Sequence, residues 1–513
     1  MNLLRKSINI LLGAKSSVLI FTIIFTVYTL SSFDVCWFPG VGPEKGFVFS
    51  SNWTEHLHSS EEFTVYYQIS SLYEGRIWLS KDAPPEYSVD STKIGDYYYA
   101  LAEPVTAALL LPFYTIGRLF LGTSFLIRSV IVGMIVYTCL NALLVRKVSL
   151  QLNQSHTTAN LAALLFAFTT MAFSYSRLLY PQPVVTMLML FAIVFLLDYN
   201  ANRRLIILFC FAFFYGLTLL SFNGFVITAP FFLYYILRIG VLRKSKEFYT
   251  IGLGLLPSLI LFLIWNFAVT GNPLITPRQI DYPSINFQIL YPTLSGTWLN
   301  LEGLMGSLFS PVGIFFVSPI LFASLVTFSS FKSKAKDEAI LFASITIVFW
   351  LFMSFANLGG NAGRDWWVGG WANIARYMYI PSTLLIIFAS TMFEKINKMK
   401  SLLSAWIVSL MVIFSFLANL SYGIRHDLMV AHLRDFPSTS LLIWPYSVAA
   451  TELGVLSVTT ILISMAYPIY LMINQRRMSH FEDMELKLIT PKNAHLQSGI
   501  VDYERTREHK RKL

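Results

Sequence analysis

Apolar runs of about 18–22 residues recur along nearly the whole chain, and each is long enough to cross about 30 Å of hydrocarbon. Runs of that length predict membrane-spanning helices. The runs fall near 16–33, 124–145, 157–175, 182–199, 204–221, 223–239, 249–269, 305–327, 338–357, 376–393, 402–421 and 451–473. The expected fold is an all-α polytopic membrane protein of about twelve transmembrane helices.

One stretch resists this scheme. "PVTAALLLPFYTIGRLFLG" (104–122) is apolar but short, holds an internal proline and carries Arg118 near its end. Counted as a full span, it would place Arg146/Lys147, Arg203/Arg204 and Arg243/Lys244/Lys246 outside. Read as an interfacial or re-entrant helix on the outer face, it puts those clusters inside, together with Lys332/Lys334/Lys336, Lys395/Lys398/Lys400 and Arg476/Arg477. Agreement of so many short loops with the positive-inside rule decides for the second reading. The expected organisation is a cytoplasmic N-terminus (1–15), a first transmembrane helix (16–33), a large extracytoplasmic loop with interfacial helices (34–123), a transmembrane bundle with short loops (124–473) and a basic cytoplasmic tail (474–513). Both termini are then cytoplasmic in a multi-pass cell-membrane protein. The N-terminal "MNLLRKSINILLGAKSSVLIFTIIFTVYTLSS" starts basic like a signal peptide but lacks a small-x-small cleavage site, and reads as a retained signal-anchor.

Composition agrees: 55% of the residues are hydrophobic and 13% charged, against roughly 25% charged in a soluble domain. The net charge of +10 raises nucleic acid as a partner, but Lys and Arg sit in short clusters between apolar runs and in the tail, as cytoplasmic loops require. Three cysteines (Cys36, Cys139, Cys210) without CxxC spacing are too few for a disulfide framework and give no metal motif.

The polar chemistry concentrates on the outer face. In the first loop the adjacent carboxylates Glu61 and Glu62 precede a helical run that is apolar or aromatic at Phe63, Tyr66, Tyr67, Ile69, Leu72 and Tyr73. A carboxylate there suits a general base toward an acceptor hydroxyl; favouring the helix N-terminus explains it equally well. Glu103 opens the interfacial helix directly before Pro104, and the same two explanations apply. "SYSRLLYPQP" (174–183) supplies Arg177, Tyr180 and Gln182, and the 270–304 loop adds Arg278, Asp281 and Glu302. "GRDWWVGGWANIARYMYIP" (363–381) brings Arg364, Arg376 and three tryptophans, Trp367 among them. An arginine heading an outer-facing helix suits a phosphate through its planar donor fork, where snorkelling to lipid headgroups is the alternative. Gly369 and Gly370 argue against a plain aromatic belt, because glycines let backbone approach a ligand closely.

Five phrases in order resemble an uncharacterised branch of the GT-C superfamily of membrane glycosyltransferases, which includes protein O-mannosyltransferase-like and aminoarabinose-transferase-like enzymes. They are "EEFTVYYQISSLYEGRIWL" (61–79), "GDYYYALAEPVTAALLLPFYTIGRL" (95–119), "SRLLYP" (176–181), "GSLFSPVGIFFVSP" (306–319) and "WVGGWANIARYMYIP" (367–381). The resemblance covers about 1–395 of the chain. It implies a polyprenyl-phosphate-linked sugar donor, an inverting transfer to a lipid, glycan or protein acceptor, and an acidic first-loop base. Carried over residue by residue, the base falls on Glu62, with Glu61 and Glu103 as alternates, and the phosphate-side arginine on Arg376; Arg177, Arg278, Trp367, Tyr98 and Gln182 complete the expected substrate-binding set.

The sequence departs from the family at four points. The superfamily mostly uses Asp in the first loop, which keeps Asp34 and Asp96 in reserve. Gln182 stands where the branch often has Glu, "NIAR" replaces a glycine-containing phrase before Arg376, and Glu103 stands where a Pro-Gly pair is usual. No cofactor is assigned; some members use a divalent metal, which leaves one open here, although His56 and His58 in "EHLHSSEE" (55–62) are the only histidines near the carboxylates. The rival classes are a lipid or solute transporter or flippase, for which ionisable groups should lie near the midplane, and transfer of an oligosaccharide to asparagine, for which "DWWVGG" has the wrong residue order.

Overall fold

The computed structural model describes residues 2–32, 60–81, 90–241, 244–281, 301–309, 313–355, 376–399 and 402–424. In chain order the helices are α1 (Asn2–Ser32), α2 (Ser60–Tyr73), α3 (Pro104–Ile116), α4 (Leu126–Gln151), α5 (His156–Thr169), α6 (Ala172–Tyr175), α7 (Gln182–Asn202), α8 (Leu205–Ser221), α9 (Ala229–Arg238) and α10 (Ser245–Thr270). They continue with α11 (Pro277–Asp281), α12 (Leu301–Phe309), α13 (Ile314–Val317), α14 (Phe322–Lys334), α15 (Lys336–Phe355), α16 (Tyr379–Met399) and α17 (Leu402–Ile424). One antiparallel hairpin, β1 (Ser91–Ile94) and β2 (Tyr97–Ala100), pairs Ser91 with Ala100 and Ile94 with Tyr97 in the stretch between α2 and α3. This is a polytopic helical membrane protein. Among the described residues six helices are long and apolar enough to cross a bilayer, and up to seven if one sharply bent pair counts as a span; the expected run at 451–473 lies outside the described residues.

The helix ends sort themselves by their contacts. Arg146 is buried and donates to Asn160 (2.6 Å) on α5 and to Ser17 (3.1 Å) on α1. Gln151 of α4 donates to Asp198 of α7 (2.6 Å), and Lys147 stands 3.9 Å from the same carboxylate. Tyr199 donates to Glu247 at the start of α10 (2.6 Å), and Tyr235 of α9 to Glu338 at the start of α15 (2.7 Å). Lys334 pairs with Glu394 (3.4 Å), which also accepts from Thr158 (2.8 Å) and from the backbone of Ser155 (3.2 Å). These contacts gather the basic clusters around 146, 203, 244, 334 and 395 at one end of the bundle. Each of these carboxylates meets at least one donor, a hydroxyl, an amide or a cation, which offsets part of the cost of its burial.

The opposite end is fixed by α1. Its Ser17 lies at the basic end with Arg146, whereas Tyr28 donates to Ala167 O (2.6 Å) in the last turn of α5 and Ser31 O accepts from Arg177 beyond it. Helix α1 therefore runs from the basic end to the far end, and α4 runs back from the far end at Leu126 to the basic end at Gln151. The chain between them makes an even number of crossings. Pro104–Leu121 is long and apolar enough to cross, yet as the sole such helix between α1 and α4 among the described residues it cannot cross alone. It lies antiparallel along α4 from the middle of that helix toward its first turn: Tyr137 donates to Leu109 O, Phe113 presses on Gly133, where an added Cβ would come within 2.7 Å of its ring, and Gly117 faces Ser129.

Two spans expected to be continuous are broken. The run at 157–175 ends as α5 at Thr169, because Thr170 Oγ1 turns back to Phe166 O (2.6 Å) and accepts from Ala172 N (3.2 Å), starting the separate turn α6. The run at 305–327 bends by 101° across Ser318. Pro319 excludes the α region for the residue before it, and Ser318 sits at φ −134°, ψ 67°. Asn419 of α17 satisfies the freed groups, donating to Val317 O (3.0 Å) and Ser318 Oγ (3.2 Å), while Ser415 Oγ accepts from Ile320 N (3.0 Å).

Candidate functional site

The segment joining α5 to α7 is the centre of the far end. Helix α5 has 14 residues, about 21 Å at 1.5 Å per residue, so residues 170–181 lie well within the thickness of a bilayer measured from the basic end. Irregular backbone at such depth is tolerated only when protein covers it, and Thr170, Ser174, Ser176 and Gln182 are all buried. Asn141 Nδ2 donates to Pro183 O (2.8 Å), which places the start of α7 beside the second half of α4 rather than beside its first turn.

Three expected site residues meet on this segment. Glu62, in the first turn of α2, is fully buried and accepts the backbone N–H of Leu179 at 3.1 Å. Arg177, two residues earlier, donates to Ser31 O and holds its guanidinium 5.5 Å above the Phe173 ring. Gln182 opens α7 and is buried. A fixed backbone donor on a carboxylate favours its ionised form, and burial opposes it. Around them stands an aromatic wall: Tyr175 packs on Tyr180 (5.6 Å) and on Tyr379 (5.9 Å), and Tyr28 packs edge-on against Phe173 (5.3 Å).

Helix α2 is held against α3 by Gln68, which donates to Ala102 O (3.3 Å), and by Tyr114, whose hydroxyl reaches Ser70 (3.1 Å). Tyr66 packs 6.1 Å from Tyr114; burial, with Tyr114 and Tyr67 nearby, pushes its phenol up to about 12. Glu103 is the N-cap of α3 at φ −66°, ψ 143°, half-buried, and its side chain makes no capping hydrogen bond. Tyr98 lies on β2, its backbone paired with Ser80 and Leu79 and its ring 5.7 Å below the Lys93 ammonium. Arg278 is exposed on the short α11, which packs near β1 rather than on the Glu62 segment.

Arg376 begins the 3-10 turn that leads into α16, three residues before Tyr379. Glu61 lies in the first turn of α2, while its side chain, the Arg376 side chain, Trp367, His56 and His58 lie outside the described residues, as do Asp34 and the stretch 363–375. Among the described residues no three His, Cys, Asp or Glu side chains group as metal ligands. Sequence reading passed over Tyr28, Asn141, Tyr379 and Asn419, which tie the segment to α1, α4, α16 and α17. The signal present was a polar side chain standing alone in an apolar run, which in a membrane interior needs a partner.

No family model matches the chain, and no curated protein matches it. Among solved structures it is similar to the oligosaccharyltransferase of Archaeoglobus fulgidus in the apo form, with TM-score 0.48 and 12% identity over 82% of this chain and 60% of that one. The same enzyme in complex with Zn and sulfate gives TM-score 0.49 and 14% identity over 78% of this chain and 53% of that one. Its complex with an inhibitory peptide and a dolichol-phosphate gives 0.47 and 13% over 82% and 60%. The chain thus spans between 53% and 60% of the length of these structures.

Proposed function

We propose that this protein is a membrane glycosyltransferase of the GT-C type, moving a sugar from a polyprenyl-phosphate-linked donor to an acceptor hydroxyl at the end of the bundle opposite the basic clusters, which the positive-inside rule makes extracytoplasmic. The observation that carries the reading is the contact of Glu62 with Leu179. It joins the acidic first-loop helix to the arginine-bearing "SRLLYP" segment across 117 residues of chain, and these are two of the phrases on which the family resemblance rests.

In this mechanism the donor's phosphate lies against Arg376 and its prenyl chain between helices. A first-loop carboxylate, Glu62 first and Glu61 or Glu103 in its stead, accepts the proton of the acceptor hydroxyl. That oxygen bonds to the anomeric carbon from the face opposite the phosphate, the carbon–oxygen bond to phosphate breaks with its electron pair, and polyprenyl phosphate leaves. Arginine offsets the charge that develops on the leaving oxygen. Because the leaving group is already a phosphate, no second acid is required, which accords with an amide at Gln182. Tyr98, Trp367 and Arg278 remain substrate-contact assignments of the sequence. No step in this reading runs through a metal ion.

The experiment is mass spectrometry of lipids that co-purify with the wild-type protein and with Arg376→Ala, followed by incubation of each with polyprenyl-phosphate sugars. A polyprenyl phosphate bound to the wild type and lost from the variant, with donor consumed by the wild type alone, supports the reading. Bulk lipids in both and no donor consumed would overturn it and turn attention to transport.

A further inference from the structure

Helices α3 and α4 form a helical hairpin with a basic tip. The chain leaves α3 at Ile116, winds through Gly117–Leu121 and reverses at Gly122, whose φ of 81° suits a glycine. Gly117 faces Ser129 of α4, so Arg118 and Arg128, the next residues toward the tip on each arm, stand at one level. Arg118 is exposed, and the Arg128 guanidinium lies 4.8 Å from the Phe125 ring centroid. No aspartate or glutamate occurs between Glu103 and Asp198, so the tip carries two positive charges and no carboxylate of its own.

The apolar surface beside these arginines is not covered by the protein. Ala108, Pro112 and Ile116 recur every fourth residue of α3 and are all exposed, which puts them on one stripe. The stripe runs about 12 Å at 1.5 Å per residue and leads toward the tip, where Leu119, Phe120 and Leu121 are 65%, 77% and 53% exposed. Side chains so placed belong in hydrocarbon, and an arginine among them stays charged where its head meets water or an anion. An anionic phospholipid matches both halves of this surface, with acyl chains for the stripe and a phosphate for the guanidinium fork. The stripe has no walls, so it selects by charge rather than by chain, which favours a bulk acidic phospholipid over a particular prenyl chain.

We propose that the α3–α4 tip binds an acidic phospholipid of the outer leaflet, its phosphate at Arg118 and one acyl chain along Ala108, Pro112 and Ile116. The proposal rests on the outer-face placement of the helical hairpin and not on the transfer reaction. Its consequence reaches the first loop. Helix α3 holds α2 through Ala102 O and Tyr114, and the charge of Arg118 is felt by Tyr66 of α2. A lipid that fixes the tip therefore also steadies the helix that carries Glu62.

The test uses the full-length protein in nanodiscs of phosphatidylcholine and phosphatidylglycerol, with a photoreactive benzoylphenylalanine in place of Phe120. Mass spectrometry of the captured lipid should show phosphatidylglycerol enriched about fivefold over its share of the membrane, the preference that one basic residue near an anionic surface provides. Arg118→Gln should remove that enrichment. The side chain is exposed, so the variant should melt like the wild type in phosphatidylcholine alone and below it once phosphatidylglycerol is present. Capture in proportion to membrane composition, with or without Arg118, would mean that the arginine only snorkels to whichever headgroup is near, and would overturn the site. Displacement of the captured phosphatidylglycerol by a small fraction of polyprenyl phosphate would assign the tip to a prenyl lipid and overturn it as well.

Discussion

Glu62 Oε1 lies 3.1 Å from the backbone nitrogen of Leu179, so a carboxylate from the first loop ends on the peptide backbone between Arg177 and Gln182. The same atom that serves as the proposed base is also what the buried N–H of Leu179 depends on. The two roles separate by substitution. Glu62→Gln keeps an acceptor oxygen for Leu179 but removes the basic carboxylate. Its melting temperature should stay close to wild type while donor consumption falls about 10²–10⁴-fold, the range for loss of a general base. Glu62→Ala should lose activity and also about 1–3 kcal/mol of stability, from the orphaned N–H. Full activity in Glu62→Gln would reassign the base to Glu61 or Glu103.

Arg177 is engaged by the fold: it donates to Ser31 O at the end of α1 and lies over Phe173. Arg177→Lys keeps the charge but loses the planar stacking and one fixed geometry. Arg177→Ala should destabilise by about 1–3 kcal/mol, through the carbonyl left without its charged donor, with the lysine variant between it and wild type. Denaturation midpoints of the three proteins decide this; equal midpoints would show that the contact carries no net stability.

The helix break at Ser318 rests on Asn419. Asn419→Leu removes both donations while roughly preserving volume, and the expected loss is about 1–3 kcal/mol for Val317 O left buried without a donor. Ser174 Oγ donates to the backbone oxygen of Asn419 at 3.1 Å, so the break and the "SRLLYP" segment share one polar path. Thermal unfolding of Asn419→Leu, Ser174→Ala and the double variant should therefore show coupling; additive losses would mean that the two contacts act separately.

These cases also mark what the sequence could and could not disclose. Helix positions were legible, since hydrocarbon demands long apolar runs and α4, α7 and α10 fall on them. The basic clusters foretold which helix ends would assemble together, because lysine and arginine cannot stay in lipid. The break at Thr170 was not legible: a threonine in an apolar run reads as a helical residue until its hydroxyl is seen bonded to Phe166 O and Ala172 N. Pro319 announced a kink but not its size, which depends on Asn419 lying 100 residues away in sequence. Of the candidate site, Glu62, Arg177 and Gln182 were recognisable as residues, whereas their convergence depends on long-range packing that a single sequence does not encode locally.

Tyr66 gives a pH dependence whose sign is determined. Burial raises its phenol from 10.0 to about 12, so between those values the folded protein holds a proton that the unfolded chain releases. The contribution to stability is fully present below pH 10 and declines as pH rises toward 12. Denaturation of wild type and Tyr66→Phe from pH 9 to 12 should show a steeper decline in the wild type. Parallel curves would mean that Tyr66 titrates normally in the folded state.

The parity of crossings gives the last prediction. Helix α1 leaves the basic end and α4 returns to it, so α3 crosses only in company with a second crossing, and its placement as an interfacial helix predicts that the hairpin before it and the turn after it lie on one side. Asp96 and Thr123 are exposed at these two places, and Arg204 is exposed among the basic clusters. In a background without native cysteines, Asp96→Cys and Thr123→Cys should react with a membrane-impermeant maleimide in intact cells. Arg204→Cys should react only after permeabilisation, because short basic loops are retained on the cytoplasmic side. If α3 crossed the bilayer, Asp96→Cys and Thr123→Cys would label from opposite sides, and the first-loop carboxylates would lose their shared face with the segment that Glu62 touches.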